Sequence, residues 1–308
     1  CQVTISHIRI TCVSAPGVGS NLAVILSVSG QTAQPANGLL SYANPIIEDI
    51  AASPSDGSSE LIDVDLMPPQ DLPTSGGTLV DITGLNFPPL DANVDVETVL
   101  YVTYGPTGSD FNAVNCIILH SGFVIRCEVA PGYGAKHHWR VKVGGLRSDL
   151  STVSTSYRGP SINSCFGPAC QKGSTAGAQL LVLFGQNLFG PLEFASYGKT
   201  GTEYKAMCTA MKAHTALACL TSPGTGTNHR WQIRIGEQTS ELTPALSGYA
   251  PPALNTLTGE GSFDSSTLGG QIVRISGSNF PPTGSTLEST NTIVTYTNGI
   301  QTFVAEGC

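Results

Sequence analysis

The chain has 308 residues, 40% of them hydrophobic and only 12% charged, with 35 Gly, 20 Pro and a net charge of −8. That balance is too apolar for a disordered chain and too rich in turn residues for a helical bundle. The acidic excess argues against a nucleic-acid ligand, which needs clustered Lys and Arg, and no apolar run approaches the roughly 20 residues that span a bilayer.

Length alone predicts about two domains. Nine cysteines, most in matched pairs, point to an oxidising, extracellular or cell-surface setting. Cys1 opens directly into strand-like sequence, so the expectation is a processed protein or an excerpt from a longer one.

Residues 1–47 read as short strands separated by turns. Val3-Thr4-Ile5 and Ile8-Arg9-Ile10 lead to Cys12 and a Pro16-Gly17-Val18-Gly19 turn. Val24, Leu26 and Val28 then alternate with Ile25 and Ser27, the mark of a strand with one face on a core. The segment closes at Tyr42. Residues 48–75 form an acidic, Pro-rich connection carrying Asp49, Asp56, Glu60, Asp63, Asp65 and Asp71 with Pro54, Pro68, Pro69 and Pro73. It lacks the spacing and central Gly of an EF-hand-like calcium loop, so a solvated linker is expected.

At Gly76-Gly77 a new cassette begins: an alternating strand, then Gly84-Leu85-Asn86-Phe87-Pro88-Pro89, then a strand ending Tyr104-Gly105. Cys116 and Cys127 follow, then Pro131-Gly132-Tyr133-Gly134, an alternating Trp139, Val141, Val143 strand, and Tyr157. A looser copy runs from Gly177 through Gly185-Gln186-Asn187, Tyr197-Gly198, Cys208, Cys219, Pro223-Gly224-Thr225-Gly226 and Trp231, Ile233, Ile235 to Tyr249. Gly269-Gly270, Gly277-Ser278-Asn279-Phe280-Pro281-Pro282, Tyr296 and Gly299 start the cassette once more. Glycines at a strand's two ends supply backbone angles that other residues disfavour. Copies with this fixed internal spacing are one domain repeated in tandem.

These residues carry a family resemblance. Gly-Gly, an alternating strand, Gly-x-Asn-Phe, a Tyr-Gly strand, Cys-x10-Cys, Pro-Gly-x-Gly and a final Tyr before Pro resemble the IPT/TIG domain, the immunoglobulin-like fold of plexins and certain transcription factors. The resemblance implies an all-β chain of tandem Greek-key β-sandwiches, used in extracellular arrays. The cysteines and the acidic charge favour that branch over the DNA-binding one. The expected layout is the C-terminal half of a sandwich at 1–47, a linker at 48–75, whole domains at 76–160 and 161–251, and the N-terminal half of a sandwich at 252–308.

No nucleophile elbow, metalloprotease helix, phosphate loop or dinucleotide fingerprint occurs, so no catalytic residue, cofactor or metal site is expected. His137, His138 and His229 neighbour Trp139 and Trp231, but adjacent strand residues face opposite ways, which disfavours joint chelation. They read as surface or strand-start histidines, and the tryptophans as core. Matched spacing predicts disulfides Cys116–Cys127 and Cys208–Cys219, and the tight loop between Cys165 and Cys170 predicts a third. Closing such loops contributes roughly 2–4 kcal/mol in the chain-entropy model. The remaining frame offers Cys12 either Cys1 or Cys308. No Asn-x-Ser/Thr sequon occurs and Asn163-Ser164-Cys165 is the rare variant, so any glycan is expected to be O-linked, on Ser/Thr or on prolines such as Pro88-Pro89 and Pro281-Pro282.

The end segments are each half a domain, and a half offers bare strand edges and one share of a core. Two explanations fit: separate subunits join head to tail, or the chain is one period of a longer array. Ile272, Val273, Ile275 and Phe280 mirror Leu79, Val80, Ile82 and Phe87, and would meet Val24, Leu26 and Val28 of another copy. The expected role is therefore a structural subunit of an extracellular filament or surface appendage, its partners other copies of itself. The alternative is an excerpt of a receptor or adhesin ectodomain that spaces a ligand-binding region. A Cys12–Cys308 bond would make each joint covalent, whereas a Cys1–Cys12 bond would leave packing alone to hold it.

Overall fold

The computed structural model describes residues 1–53, 69–90, 95–283 and 292–307. The chain divides into two units, residues 1–158 and 159–308. Each is almost entirely β.

The first unit begins with β1 (Gln2–Ile5), β2 (Arg9–Thr11), β3 (Leu22–Val24), β4 (Ser27–Val28), β5 (Gln31–Thr32) and β6 (Ala36–Leu40). They form three separate antiparallel ladders: β1 with β2, β3 with β6 and β4 with β5. Next come β7 (Ile46–Ala52), β8 (Leu79–Leu85), β9 (Leu100–Gly105), β10 (Phe111–Asn112), β11 (Val114–His120), β12 (Val124–Glu128), β13 (His137–Val143), β14 (Leu146–Arg147) and β15 (Ser154–Thr155). These build a sandwich of two sheets, β11-β12-β8-β7 and β10-β9-β13-β14, with β15 also on β13. The order is that of an immunoglobulin-like Greek key, in which consecutive strands switch between facing sheets.

The alternation that marks β13 is realised as burial. His137, Trp139, Val141 and Val143 face inward while the residues between them are more exposed. Trp139, Val141 and Val143 meet Val80, Ile82, Ile125 and Cys127 from the other sheet in one core. Seven residues read as the end of the head and the start of the linker behave differently: Ile46–Ala52 is β7, the edge strand of the sandwich, with Ile50 fully buried. Ile50 pairs with Ile82, so the sandwich needs this strand to cover its core. The linker boundary at 48 and the domain start at 76 are corrected accordingly. Of the acidic run, Asp56, Glu60, Asp63 and Asp65 lie outside the described residues.

The second unit repeats the plan with β16 (Ser161–Phe166), β17 (Leu180–Leu188), β18 (Leu192–Gly198), β19 (Tyr204–Lys205), β20 (Met207–Lys212), β21 (His214–Leu220), β22 (Arg230–Ile235) and β23 (Gln238–Thr239). Its sheets are β16-β17-β21-β20 and β19-β18-β22-β23, the same order strand for strand. Leu181, Leu183, Cys219, Trp231, Ile233 and Ile235 form its core. Four more strands end the unit: β24 (Ala253–Thr258), β25 (Arg274–Ser278), β26 (Thr295–Thr297) and β27 (Thr302–Val304). They make two separate hairpin ladders, β24 with β25 and β26 with β27.

Disulfides join Cys1 to Cys12, Cys116 to Cys127, Cys165 to Cys170 and Cys208 to Cys219. Cys12 is thus taken by Cys1 of its own chain, which sets aside a Cys12–Cys308 bond; Cys308 lies outside the described residues.

Candidate assembly interface

The two whole sandwiches define what a closed domain looks like, and the end segments are then legible as its pieces. In the first sandwich, β13 stacks Trp139 on Tyr104 of β9, with ring centroids 4.3 Å apart. The Trp139 indole N–H donates to Thr155 Oγ1 at 3.1 Å. The second sandwich does the same with Trp231, Tyr197 and Ser247. Buried indoles satisfied in this way are core groups, with no face left for a ligand.

Beside each tryptophan lies a tyrosine pair. Tyr104 and Tyr157 bring their hydroxyls to 2.6 Å, and so do Tyr197 and Tyr249. The closing tyrosine donates to the carbonyl of the residue before the Pro-Gly turn, Ala130 or Ser222, at 2.6 Å in both cases. The N–H of that same residue donates to the partner tyrosine's hydroxyl, at 3.0 and 2.9 Å. One backbone residue is therefore held on both sides by a pair of phenols. Burial pushes the Tyr104, Tyr157 and Tyr197 hydroxyls above the usual phenol range.

His137 sits edge-on to Tyr104, Phe111 and Tyr157 and is almost fully buried. His229 lies in the matching place among Tyr197, Tyr204 and Tyr249. Both are indeed at strand starts, but the expectation of surface histidines gives way to rings inside an aromatic cluster. Burial holds the His137 imidazole below its ordinary value. Among the described residues, no group of three or more His, Cys, Asp or Glu side chains could hold a metal ion.

The head, residues 1–43, reproduces the second half of the sandwich. Val3 pairs with Ile10 as Ile118 pairs with Ile125, and Val28 pairs with Gln31 as Val143 pairs with Leu146. Leu22 pairs with Leu40 as His137 pairs with Thr155. Tyr42 donates to the Ala15 carbonyl at 2.7 Å, the bond Tyr157 makes to Ala130. The tail, residues 253–307, reproduces the first half. Leu257 pairs with Ile275 as Ile50 pairs with Ile82, and Tyr296 pairs with Phe303 as Tyr104 pairs with Phe111. Tyr296 and Phe303 also stack, at 5.5 Å against 5.4 Å in the whole domain.

Each half lacks the neighbours that the other half contains. In the whole domain β12 lies beside β8 and β13 beside β9. Among the described residues, the matching edges of β2 and β3 in the head, and of β25 and β26 in the tail, have no strand alongside. Core positions are open to match. Ile10 is 41% exposed where Ile125 is 0%, and Val273 is 45% exposed where Val80 is 0%. Val24, Leu26, Val28 and Ile272 are exposed as well, whereas Ile275 and Phe280 are already half-buried within the tail itself. Of the prolines considered as modification sites, Pro88 is buried and Pro281 is exposed.

The tyrosine pair is the feature that reading the sequence missed. Its signal was present: the paired tyrosines are 53 and 52 positions apart in the two whole domains. Tyr42 and Tyr296 occupy the two positions of that pair, each without the other position in its own segment among the described residues.

Comparison with known proteins bears on the fold. The IPT/TIG domain family matches residues 64–158. Among solved structures, the plexin A4 extracellular region is 13% identical with a TM-score of 0.28, over 67% of this chain and 18% of its own. The surface glycan-binding protein PbSGBP-B from Prevotella bryantii is 11% identical with a TM-score of 0.40, over 67% and 42%. The Escherichia coli adhesin FdeC is 10% identical with a TM-score of 0.26, over 74% and 73%. This chain thus spans under a fifth of the plexin structure and less than half of the glycan-binding protein. No curated protein matches it. The IPT/TIG match at residues 64–158 thus falls within the first sandwich, and residues 159–250 repeat the strand plan of that sandwich.

Proposed function

We propose that the chain is a structural subunit of an extracellular filament or surface appendage, built by completing split IPT/TIG domains between copies. The observation that carries this is the match of register between the two halves and the whole domain. Carrying the whole-domain pairing over, β25 of one copy lies beside β2 of the next, with Ile275 opposite Ile10 as Ile82 is opposite Ile125. In the facing sheet, β26 lies beside β3, with Tyr296 opposite Val24 as Tyr104 is opposite Trp139. Both sheets are split between their two central strands, so one docking event closes both.

Four edges and two open faces in water are unstable company for a chain without an occupant. A second copy supplies strands of the right number, direction and side-chain order. Splitting an immunoglobulin-like core makes an interface of obligate type, which buries on the order of 2,000–5,000 Å². Because head and tail are different surfaces, the contact does not close on itself and propagates into a linear polymer. A chain that is one period of a longer array would use the same joint. Four disulfides support an oxidising, extracellular location, and the packing of Cys12 against Cys1 makes the joint non-covalent. A coat of O-linked glycans remains part of the proposal, with intact mass against sequence mass as its check.

Sedimentation velocity and negative-stain microscopy of the purified chain test the reading. Concentration-dependent filaments that dissolve in denaturant without reductant are expected. A chain that stays monomeric at all concentrations would overturn it, and isolated rods would favour an ectodomain spacer.

A further inference from the structure

The tyrosine pair of the whole domains is divided between the two halves. The head keeps Tyr42 with its hydroxyl on the Ala15 carbonyl at 2.7 Å. The tail keeps Tyr296, which is 61% exposed, although it occupies the strand position where Tyr104 and Tyr197 are buried. In both whole domains the strand tyrosine, Tyr104 or Tyr197, completes three contacts: the phenol partner, the N–H before the Pro-Gly turn, and the side chain at the strand position paired with it, Trp139 or Trp231. The head presents all three recipients, as the Tyr42 hydroxyl, the Ala15 N–H and Val24.

A second observation places the tail against the same spot. Gly76 and Gly177 hold φ of +74° and +73°, and a Cβ on either would lie 2.6 or 2.4 Å from the backbone just before or at the proline of the Pro-Gly turn. Those glycines are needed because the turn presses on them. Gly269 holds the same φ, +73°, with nothing within 4 Å of the place a Cβ would take. The tail is thus shaped to receive an Ala15-Pro16 backbone that its own segment does not supply. Gly269, in the turn before β25, and Tyr296 of β26 converge on a single residue of the head, Ala15.

We propose, resting on the head-to-tail reading above, that Tyr296 of one copy and Tyr42 of the next join hydroxyls around Ala15 and set the register of each joint. A one-residue slip would turn every side chain of β26 to the other face, and the phenol pair forms in one register only. Hydrophobic faces supply the attraction; the tyrosines supply the choice of register.

The test uses the full chain carrying Tyr296→Phe, Tyr42→Phe or both, with the critical concentration for assembly as readout. Each ring stays, so packing is kept and one hydroxyl is removed. Each single variant is expected to raise the critical concentration about 10-fold, the effect of about one buried hydrogen bond left unmade. The double variant is expected to be far less than 100-fold weaker, because both changes break one shared contact. Wild-type filaments with Tyr296→Phe indistinguishable from wild type, or with additive effects of the two single variants, would overturn the pair while leaving the head-to-tail joint standing. A wild type that never assembles would overturn both.

Discussion

Ile125 and Ile10 occupy the same position of the same strand, one in a closed sandwich and one in an open half, so truncating each separates folding from assembly. Ile125 is fully buried between the sheets. Ile125→Ala should lower the unfolding free energy by about 2–5 kcal/mol, the usual range for removing a large aliphatic side chain from a core. Ile10 is 41% exposed in the chain by itself. Full burial of such a side chain contributes roughly 1.5–3 kcal/mol, so the part still to be buried on joining contributes about 1 kcal/mol. The cavity left in the closed joint adds about as much again. Ile10→Ala should therefore weaken association by about 2 kcal/mol, or about 30-fold in critical concentration. The unfolding transition of the dilute, unassembled chain should hardly move. Chemical denaturation below the critical concentration and sedimentation above it measure the two effects. If Ile10→Ala destabilised the dilute chain as much as Ile125→Ala and left assembly unchanged, the head would be a finished core and the argument would fail.

Other substitutions follow the same logic. Gly76→Ala should destabilise the first sandwich because its Cβ would meet the Ala130 carbonyl carbon at 2.6 Å. Gly269→Ala, with open space around it, should cost the dilute chain only about 1 kcal/mol of backbone strain and instead block assembly; thermal melts and sedimentation distinguish the two. Asp81 is salt-bridged to Arg126 at 2.6 Å with both side chains nearly buried. Asp81→Ala should cost about 3–5 kcal/mol by taking the carboxylate away from a nearly buried guanidinium, measured by denaturant melts. His137 has a folded pKa below its ordinary value of 6.5. Its protonation favours the unfolded chain, so its effect is nil above that value and stability falls as pH drops through and below it. His137→Leu, which installs the residue found at the matching head position as Leu22, should flatten that part of the pH–stability profile.

How much of this was legible beforehand depended on whether the signal was local. Cys spacing, the Pro-Gly turns and the alternation at Trp139, Val141 and Val143 each act within a few residues, and they outlined the sandwiches. Ile46–Ala52 read as the approach to a linker because its pattern, with Glu48 and Asp49 beside Ile47 and Ile50, is that of an edge strand with one weakly buried face. Only its pairing with β8 reveals it. His137 looked like a surface group because a ring cluster drawn from β9, β10 and the closing Tyr157 is made by contacts far apart in sequence. The tyrosine pair was hidden for the same reason: each phenol is unremarkable in its own strand, and its partner lies some fifty residues away. Open core positions such as Val24 and Val273 cannot be told from closed ones by residue type, since the same aliphatic residues serve both. Exposure distinguishes them.

The most direct test of the joint uses two truncated chains, one lacking residues 1–43 and one lacking residues 253–308, each keeping both whole sandwiches. The first retains a tail without a head and the second a head without a tail. Sedimentation velocity of each alone and of an equimolar mixture reads the outcome. The account predicts that neither polymerises alone and that the mixture forms a 1:1 complex and nothing larger. Filaments from either truncated chain, or a mixture that sediments as two separate monomers, would contradict it.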